Sequence, residues 1–312
     1  MKILVIGDLH GRKPKIHFKY FDCIIQVGDV CDDKKLGPYW KLRFYLLKEI
    51  GEDAPSAEEL MLSDIGEEGI KKLEKNSLIM GRKILEYLNS FGKPVFFVPG
   101  NWDQSWGETK IKNPEASNYA YYKSWFDRFL GLNTNKFLIK GLKNIYDCQF
   151  KNNEFNKLNF IGYGLSNNQE RIIKKPKKSL TKLEINKLDK VYFKIINALS
   201  SSYKISNKKY PTIFISHNVP YNTKLDIIKD KRNYAYNKHL GSYVAKKFCE
   251  KYKPLICIGG HVHEGVGKDK IGKTIVINPG YGKNAQVLID IDENKGKIKS
   301  VKFYGHNEKH NH

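Results

Sequence analysis

Short apolar runs recur along the chain, and most of them end at a Gly, Asp, Asn or His residue. Seven such runs cover residues 2–8, 23–29, 94–101, 158–164, 211–218, 254–261 and 273–280, and two further runs, 285–292 and 297–304, close the chain. Nearly continuous apolar segments of this length are typical of strands that are covered on both faces. The pattern therefore predicts nine strands in a layered fold.

Longer segments between the apolar runs predict helices. Residues 68–90 and 238–252 have apolar side chains at helical spacing, and the alternation of strands and helices favours an α/β fold. We expect one domain over residues 1–312, because a layered α/β core of that size tolerates insertions. Two connections, about 32–92 and 102–157, exceed ordinary loop lengths and form either a lid or substrate wall, or additional packing layers.

Polar residues with metal-binding side chains stand at the ends of the predicted strands. Asp8 and His10 follow the first run, two residues apart, and the same spacing recurs in the pair His261 and His263. Taken singly, such residues are ordinary turn or cap residues. Open α/β sheets place their ligand sites at this edge, so we expect one site built from six strand ends. Seven residues are predicted metal ligands and catalytic residues: Asp8, His10, Asp29, Asn101, His217, His261 and His263.

Seven ligands of this kind suit two metal ions. Burying so many carboxylates and imidazoles without a cation is costly. If one carboxylate is shared, seven ligands provide two four-ligand sites. Asp, Asn and His ligands without a thiolate fit divalent Mn, Fe or Zn. Two metals roughly 3.5–4 Å apart can hold the attacking and leaving oxygens of a phosphoryl displacement.

The ordered motifs D-x-H, GD, GN, H and GHxH together resemble those of the calcineurin-like metallophosphoesterases, from residue 7 to residue 264. GGHVHE (259–264) followed by INPGYG (277–282) is similar to the branch related to bacterial cyclic-nucleotide phosphodiesterases. The resemblance implies a four-layer αββα sandwich of two mixed β-sheets flanked by helices, and a hydroxide bridging the two metals as the nucleophile. It also implies three ligand roles: a first metal at Asp8, His10 and His263, a second at Asn101, His217 and His261, and Asp29 between them.

One position departs from the family pattern. The family commonly has a histidine after the GN motif that contacts the phosphate and helps to protonate the leaving group, whereas this chain has Trp102. An indole has one N–H donor and is no acid near neutral pH, and general acid catalysis contributes roughly 10²–10⁴ in rate. We therefore expect a preference for diesters with good leaving groups. The neighbouring Asp103 either orients a ligand or forms a turn.

Three residues are predicted to bind substrate: Arg12, Trp102 and Asn278. For Arg12 the alternative is a solvated side chain, and for Asn278 a plain turn. The histidines at 306, 310 and 312 are predicted to belong to a terminal tail.

The net charge of the chain does not decide whether its partner is a small phosphate ester or a nucleic acid. Lys and Arg number 55 against 33 Asp and Glu, a formal charge of +22. A basic surface attracts phosphate-bearing ligands and nucleic acid, but the lysines are dispersed, with one cluster at 174–178, so a compositional bias explains them equally well. Five cysteines without CxxC spacing predict a reducing, cytoplasmic location, and no segment is long enough to span a membrane.

The sequence therefore predicts a metal-dependent phosphodiesterase acting on a small phosphate ester such as a nucleotide. The alternative is a metal-dependent nuclease acting on DNA or RNA, and a non-catalytic scaffold is the third interpretation. The sequence does not determine the substrate, the native metal or the oligomeric state.

Overall fold

The computed structural model describes residues 1–103, 136–164, 170 and 182–304. The strands are β1 (Lys2–Ile6), β2 (Cys23–Gln26), β3 (Val95–Phe97), β4 (Ile145–Asp147), β5 (Asn152–Phe155), β6 (Leu158–Tyr163), β7 (Thr212–Asn218), β8 (Ile256–Gly260), β9 (Gly267–Ile271), β10 (Thr274–Asn278), β11 (Gln286–Asp292) and β12 (Lys297–Phe303). The helices are α1 (Gly37–Glu49), α2 (Ala57–Asn89), α3 (Lys136–Ile139), α4 (Lys182–Ile205) and α5 (Tyr243–Tyr252), with a 3₁₀ turn at Gly51–Asp53.

The strands form two mixed sheets of six. The first has the order β12-β11-β1-β2-β3-β4, in which β1 to β4 run parallel and β11 is antiparallel to both of its neighbours. The second has the order β5-β6-β7-β8-β10-β9, with parallel strands inside and antiparallel strands at its two edges. The carboxyl ends of the parallel strands of each sheet therefore point in one direction.

The two sheets pack face to face around an apolar core. Alternate residues of each strand point inward, so that Ile3 and Val5 of β1 contact a cluster that includes Ile213 and Ile258 of the other sheet. The rings of Phe96 and Phe160 stack across the interface with centroids 3.8 Å apart. The period of two along a strand produces this division between the faces, and burial on both faces explains the continuous apolar runs.

Helices cover the outer faces. The outward residues Leu4 and Ile6 of β1 pack with Leu85 of α2, while Phe214 of β7 stacks on Phe248 of α5 at 4.0 Å. The chain thus has helix, sheet, sheet and helix layers, and the predicted αββα sandwich is confirmed. Among the described residues, no helix combines the length and the hydropathy needed to cross a bilayer.

Two predicted helices have different limits in the structure. The predicted helix at 68–90 is the second section of α2, which begins earlier at a capping box formed by Ser56 and Glu59 and is interrupted at Gly66 (φ 64°). The helix predicted at 238–252 begins only at Tyr243, because Ser242 caps it by accepting a hydrogen bond from the Ala245 amide. Residues 238–242 belong instead to the loop before α5.

The end of the second predicted insertion forms strands of the two sheets. Residues 104–135 lie outside the described residues, but the end of the predicted insertion contributes β4 and β5, which are edge strands of the two sheets. Strand β9 is a third edge strand. All three edge strands have short or polar sequences, and they lack the apolar run on which strand prediction depends. The first insertion, 32–92, forms α1 and α2.

Candidate metal centre

The seven predicted ligands meet at the carboxyl ends of five parallel strands, β1, β2, β3, β7 and β8. Three of them have left-handed backbone conformations that are unusual without glycine: His10 (φ 45°), Asp29 (φ 53°) and His261 (φ 65°). Such conformations persist where surrounding contacts enforce them, and they concentrate at functional sites. The strand ends are therefore shaped so that these side chains turn toward one point.

Glycines before two of the ligands make room for neighbouring carboxylates. A Cβ at Gly100 would overlap Asp29, and a Cβ at Gly260 would overlap Asp8. The GN and GH pairs of the sequence are thus required by the close approach of two loops, which only a residue without a side chain permits.

Asp8, His10 and His263 form the first group of ligand atoms, all within 4.8 Å of one another. The Asp8 carboxylate is fully buried, and its Oδ2 lies 3.4 Å from Nε2 of His263. The same oxygen accepts a hydrogen bond of 2.6 Å from the backbone amide of His261. One loop therefore fixes both Asp8 and the two histidines of the GHxH motif.

Asp29, His217 and His261 form the second group, again within 4.8 Å of one another. Asn101 belongs with them, because its Oδ1 lies 2.8 Å from Nε2 of His217 and 2.9 Å from Nδ1 of His261. The two groups adjoin at Asp29, whose Oδ2 is 3.3 Å from Nε2 of His10 and 3.4 Å from Nε2 of His217. One carboxylate oxygen thus reaches a histidine of each group.

The arrangement has the donor set of a cation site. Oδ1 of Asp8 and Nε2 of His10 are buried, and within the described part of the chain neither makes a hydrogen bond of good geometry. Nδ1 of His217 donates to the carbonyl of Val27 at 2.9 Å, so in the neutral form of the ring, the form that binds a metal, Nε2 presents a lone pair to the oxygens of Asn101 and Asp29. Unpaired buried atoms and facing lone pairs are both relieved by divalent cations.

The electrostatics indicate the same demand for positive charge. Burial alone would lower the pKa of His217, but the Asp29 carboxylate overcomes this and raises the pKa to about 9. Burial also opposes ionisation of Asp29, yet His217 and His10 hold its pKa well below the ordinary value. Burial and the neighbouring His217 lower the pKa of His261 to about 3. The buried carboxylates therefore favour positive charge at this centre, and a divalent cation would supply it.

Asp33 is a candidate functional residue that sequence reasoning missed. Its Oδ2 lies 3.1 Å from Nδ1 of His10, on the side of the ring away from Asp29. A carboxylate behind a ligating histidine fixes the orientation of its ring. The acidic pair Asp32–Asp33 at the end of GDVCDD was the available signal, but only the fold shows that Asp33, rather than Asp32, faces His10.

Two buried polar side chains brace the ligand loops. Gln26 bonds to the amide and to the carbonyl of Gly28 at 2.7 and 2.8 Å. Asp103 accepts hydrogen bonds from the amides of Cys31 and Gly100 at 2.9 and 2.8 Å. Burial, and then the nearby Asp29, raise the pKa of Asp103 to about 6. Asp103 thus joins the loops after β2 and β3.

Trp102 has two roles in the structure. Its backbone amide donates to Oδ1 of Asp29 at 2.8 Å. Its side chain packs against the core beneath α2 and also against the small cluster of Leu36, Ala57 and Met61. The indole therefore connects the insertion helices to the first sheet, beside His10 at a centroid distance of 6.3 Å.

The other two predicted substrate residues have different settings. Arg12 is partly exposed at the mouth of the site, with Nη1 bonded to the carbonyl of His10 at 3.0 Å. The Asn278 side chain donates to the carbonyl of Val262 and accepts from the amide of Gly280, both at 2.9 Å. It therefore positions the loop that contains His261 and His263, and its contact with substrate stays a prediction.

Tyr281 is a second residue that the sequence did not reveal. Its ring stacks on His263 with centroids 4.1 Å apart, and the Arg12 guanidinium lies 4.8 Å from the ring centroid. The loop containing it bonds to Asp8, through the Asp8 amide to the Gly280 carbonyl and the Gly282 amide to the Asp8 carbonyl. The tertiary fold brings this loop to the first motif, although about 270 positions separate the two in the sequence.

Comparison with known proteins agrees with this geometry. A family model described as calcineurin-like phosphoesterase matches residues 1–265. The chain belongs to the calcineurin-like phosphoesterase family. This confirms the predicted family and identifies the chain with phosphoester hydrolases that typically bind divalent metals. The similar protein MJ1162 of Methanocaldococcus jannaschii, described as uncharacterized, is 34% identical over 284 residues, which cover 89% of this chain and 88% of that protein.

Solved structures are also similar to this family member. One crystal structure, 18% identical, covers 97% of this chain and 98% of its own with a TM-score of 0.57, which shows a common fold. The phosphopantetheinyl hydrolase PptH of Mycobacterium tuberculosis is 12% identical, covers 90% of this chain and 89% of its own, and has a TM-score of 0.45.

Proposed function

We propose that the protein is a phosphodiesterase that uses two divalent metal ions. The observation that supports this best is the position of Asp29, whose single oxygen reaches His10 on one side and His217 on the other. Asp8, His10 and His263 would hold the first ion, and Asn101, His217 and His261 the second, with Asp29 shared. When bound, such a pair of ions supplies an activated water and neutralises charge on the phosphate.

The remaining roles belong to side chains of the chain itself. The Nδ1–H group of His217 donates a hydrogen bond to the Val27 carbonyl, and this orientation of the ring directs Nε2 toward the centre. Asp33 orients the His10 ring in the same manner. Arg12, partly exposed at the mouth and anchored on the His10 carbonyl, is placed to bind a non-bridging phosphate oxygen. The choice among Mn, Fe and Zn stays open, because the ligand types suit all three.

The test is a phosphoester panel on the chain reconstituted with each metal. We expect hydrolysis of bis(p-nitrophenyl) phosphate to exceed that of p-nitrophenyl phosphate, with cyclic nucleotides as further substrates. Asp8→Asn should abolish the activity. Asp22→Asn is the matched control, since Asp22 accepts from the Lys2 amide at the opposite end of β1, away from the ligands. A metal-loaded chain that hydrolyses none of these esters would contradict the proposal.

A further inference from the structure

We propose that the loop 229–238, together with helix α1, binds single-stranded nucleic acid beside the metal centre. This inference rests on the proposed phosphodiesterase function, because it assigns a substrate class to the same site. The sequence of the loop, KDKRNYAYNK, interleaves four cationic residues with two tyrosines and one acidic residue. Cationic side chains that follow a backbone and aromatic rings that stack on bases are the two components of single-strand recognition.

The loop is attached directly to the metal centre. The backbone amide of Lys229 donates to the Glu264 carboxylate, and its Nζ donates to the Glu264 carbonyl at 3.1 Å. Glu264 follows the proposed ligand His263. At the other end, the Asn218 side chain, next to His217, donates to the carbonyl of Leu240 at 2.8 Å. The two ends of the loop therefore lie beside residues that are adjacent to the proposed ligands His263 and His217.

The loop is held in one conformation. Its base is closed by hydrogen bonds from the Ile228 amide to Lys238 and from the Asn237 amide to Ile228, at 3.1 and 2.9 Å. Ala235 is fully buried in the core and anchors the tip. A recognition loop that is already ordered loses less conformational entropy when it binds a ligand.

Its binding groups face outward. Tyr234 and Tyr236 are 42% and 39% exposed, and the cationic residues are also exposed: Lys229, Lys231, Arg232 and Lys238. Asp230 pairs with Arg232 at 3.0 Å and neutralises one of these charges. Lys231 and Lys238 keep exposed charge for phosphates, with Lys238 Nζ 5.5 Å from the Tyr234 ring centroid. Both tyrosines expose part of their rings.

Helix α1 forms the opposite side of the same surface. It begins at the metal centre, where the Gly37 amide bonds to the carbonyl of Asp33 at 2.6 Å. Seven residues later Phe44 meets Tyr234 at a ring-centroid distance of 5.6 Å, and the Lys48 side chain bonds to the Lys231 carbonyl at 3.3 Å. At about 1.5 Å per residue, the contact between Phe44 and Tyr234 lies roughly 10 Å along the helix from its start.

The dimensions and charges favour an oligonucleotide. Helix α1 and the loop together contain seven cationic residues and two acidic ones. The 13 residues of α1, at about 1.5 Å each, extend this surface over roughly 20 Å from the proposed metal centre. Exposed tyrosines stack only on unpaired bases, because the faces of paired bases are covered by their neighbours in a duplex. An acidic protein would be attracted by the lysines but would gain nothing from the rings.

The test is fluorescence anisotropy with a labelled oligothymidylate of about twelve nucleotides, on the complete chain in EDTA so that no cleavage occurs. We expect binding that weakens steeply with salt. Tyr236→Ala should weaken it about tenfold at constant salt, and Tyr236→Phe should retain it, because stacking on one aromatic ring contributes approximately that factor or more. Replacing Lys231 and Lys238 by Gln should reduce the slope of log K against log salt by about 1.4.

Matched control substitutions are available at the opposite end of the molecule. Tyr20 is 78% exposed and follows Lys19, near the amino end of β1, so Lys19→Gln and Tyr20→Ala should leave binding unchanged. Three results would overturn the inference. The controls weaken binding as much as the loop substitutions do, or duplex DNA or polyglutamate binds more tightly than the single strand, or no binding occurs at low salt. Because binding is measured without metal, its failure is distinct from a failure to hydrolyse aryl diesters, which would refute the proposed function instead.

Discussion

Replacing Trp102 by histidine tests the reaction at the position where this chain departs from its family. The proposed metal ligands are all present, so attack on phosphorus does not depend on this side chain. Protonation of the leaving group does depend on an acid, which an indole cannot supply. We expect the unmodified enzyme to lose kcat/KM steeply as the leaving group becomes more basic. Trp102→His should flatten that dependence, with a gain on poor leaving groups of up to roughly 10²–10⁴.

The structure adds a cost to this substitution. Trp102 packs against both the main helix–sheet core and the cluster of α1 and α2. Removing a fully buried large aromatic side chain typically costs about 3–5 kcal/mol. Because Trp102 is only partly buried and histidine retains a ring, we expect about 1–3 kcal/mol here. The melting temperature should fall by several degrees, and the Asp29 hydrogen bond should survive because the backbone amide donates it.

Trp102→Phe separates the two effects. It also loses packing volume but supplies no acid, so it should lower the melting temperature without changing the leaving-group dependence. The assay is kcat/KM for a series of aryl and alkyl diesters, measured below the melting temperature of each variant. A flat dependence in the unmodified enzyme would show that another residue protonates the leaving group, and the reasoning would be wrong.

Three other predictions follow from the same geometry. Elemental analysis should find two metal ions per chain and at most one in Asp29→Ala, and two tightly bound ions in that variant would count against a shared carboxylate. Asp33→Asn should weaken metal binding, measured by calorimetry, about 10–100-fold, whereas Asp32→Asn should not, since its Oδ1 bonds to the Lys34 amide instead. Asp103→Ala should lower the free energy of unfolding by about 2–4 kcal/mol in denaturant titrations, because two buried amides lose their acceptor; an unchanged midpoint would argue that water replaces it.

The predicted ligands show how much of the candidate site can be predicted from one sequence. Asp8 and His10 were recognisable because a strand end, a glycine and paired metal-binding side chains occur together, and the same is true of His261 and His263. The structure places all seven predicted ligands in two adjoining groups, on five strands instead of the six expected. The sixth strand end, after β10, contributes Asn278, whose side chain bonds only to backbone groups in the described residues.

The residues that were missed share a physical cause. Asp33 and Tyr281 bind no metal in the proposed scheme, and each acts by touching a ligand from outside. Their importance depends on which of several similar side chains faces the site, and that depends on loop conformation. The edge strands β4, β5 and β9 were missed for a related reason, because an edge strand needs no apolar run when one side is open to solvent.

The sequence by itself determined the layers and the chemistry. Strands that are buried on both faces are apolar throughout, and the proposed metal ligands are Asp, Asn and His, so both leave a mark at every position concerned. Only the tertiary structure decided which loops meet: that Asp33 faces His10, that Trp102 joins the insertion to the sheet, and that the loop 229–238 lies against Glu264. Contacts between distant segments depend on how the sheets and their connections pack, and local patterning contains no record of that packing.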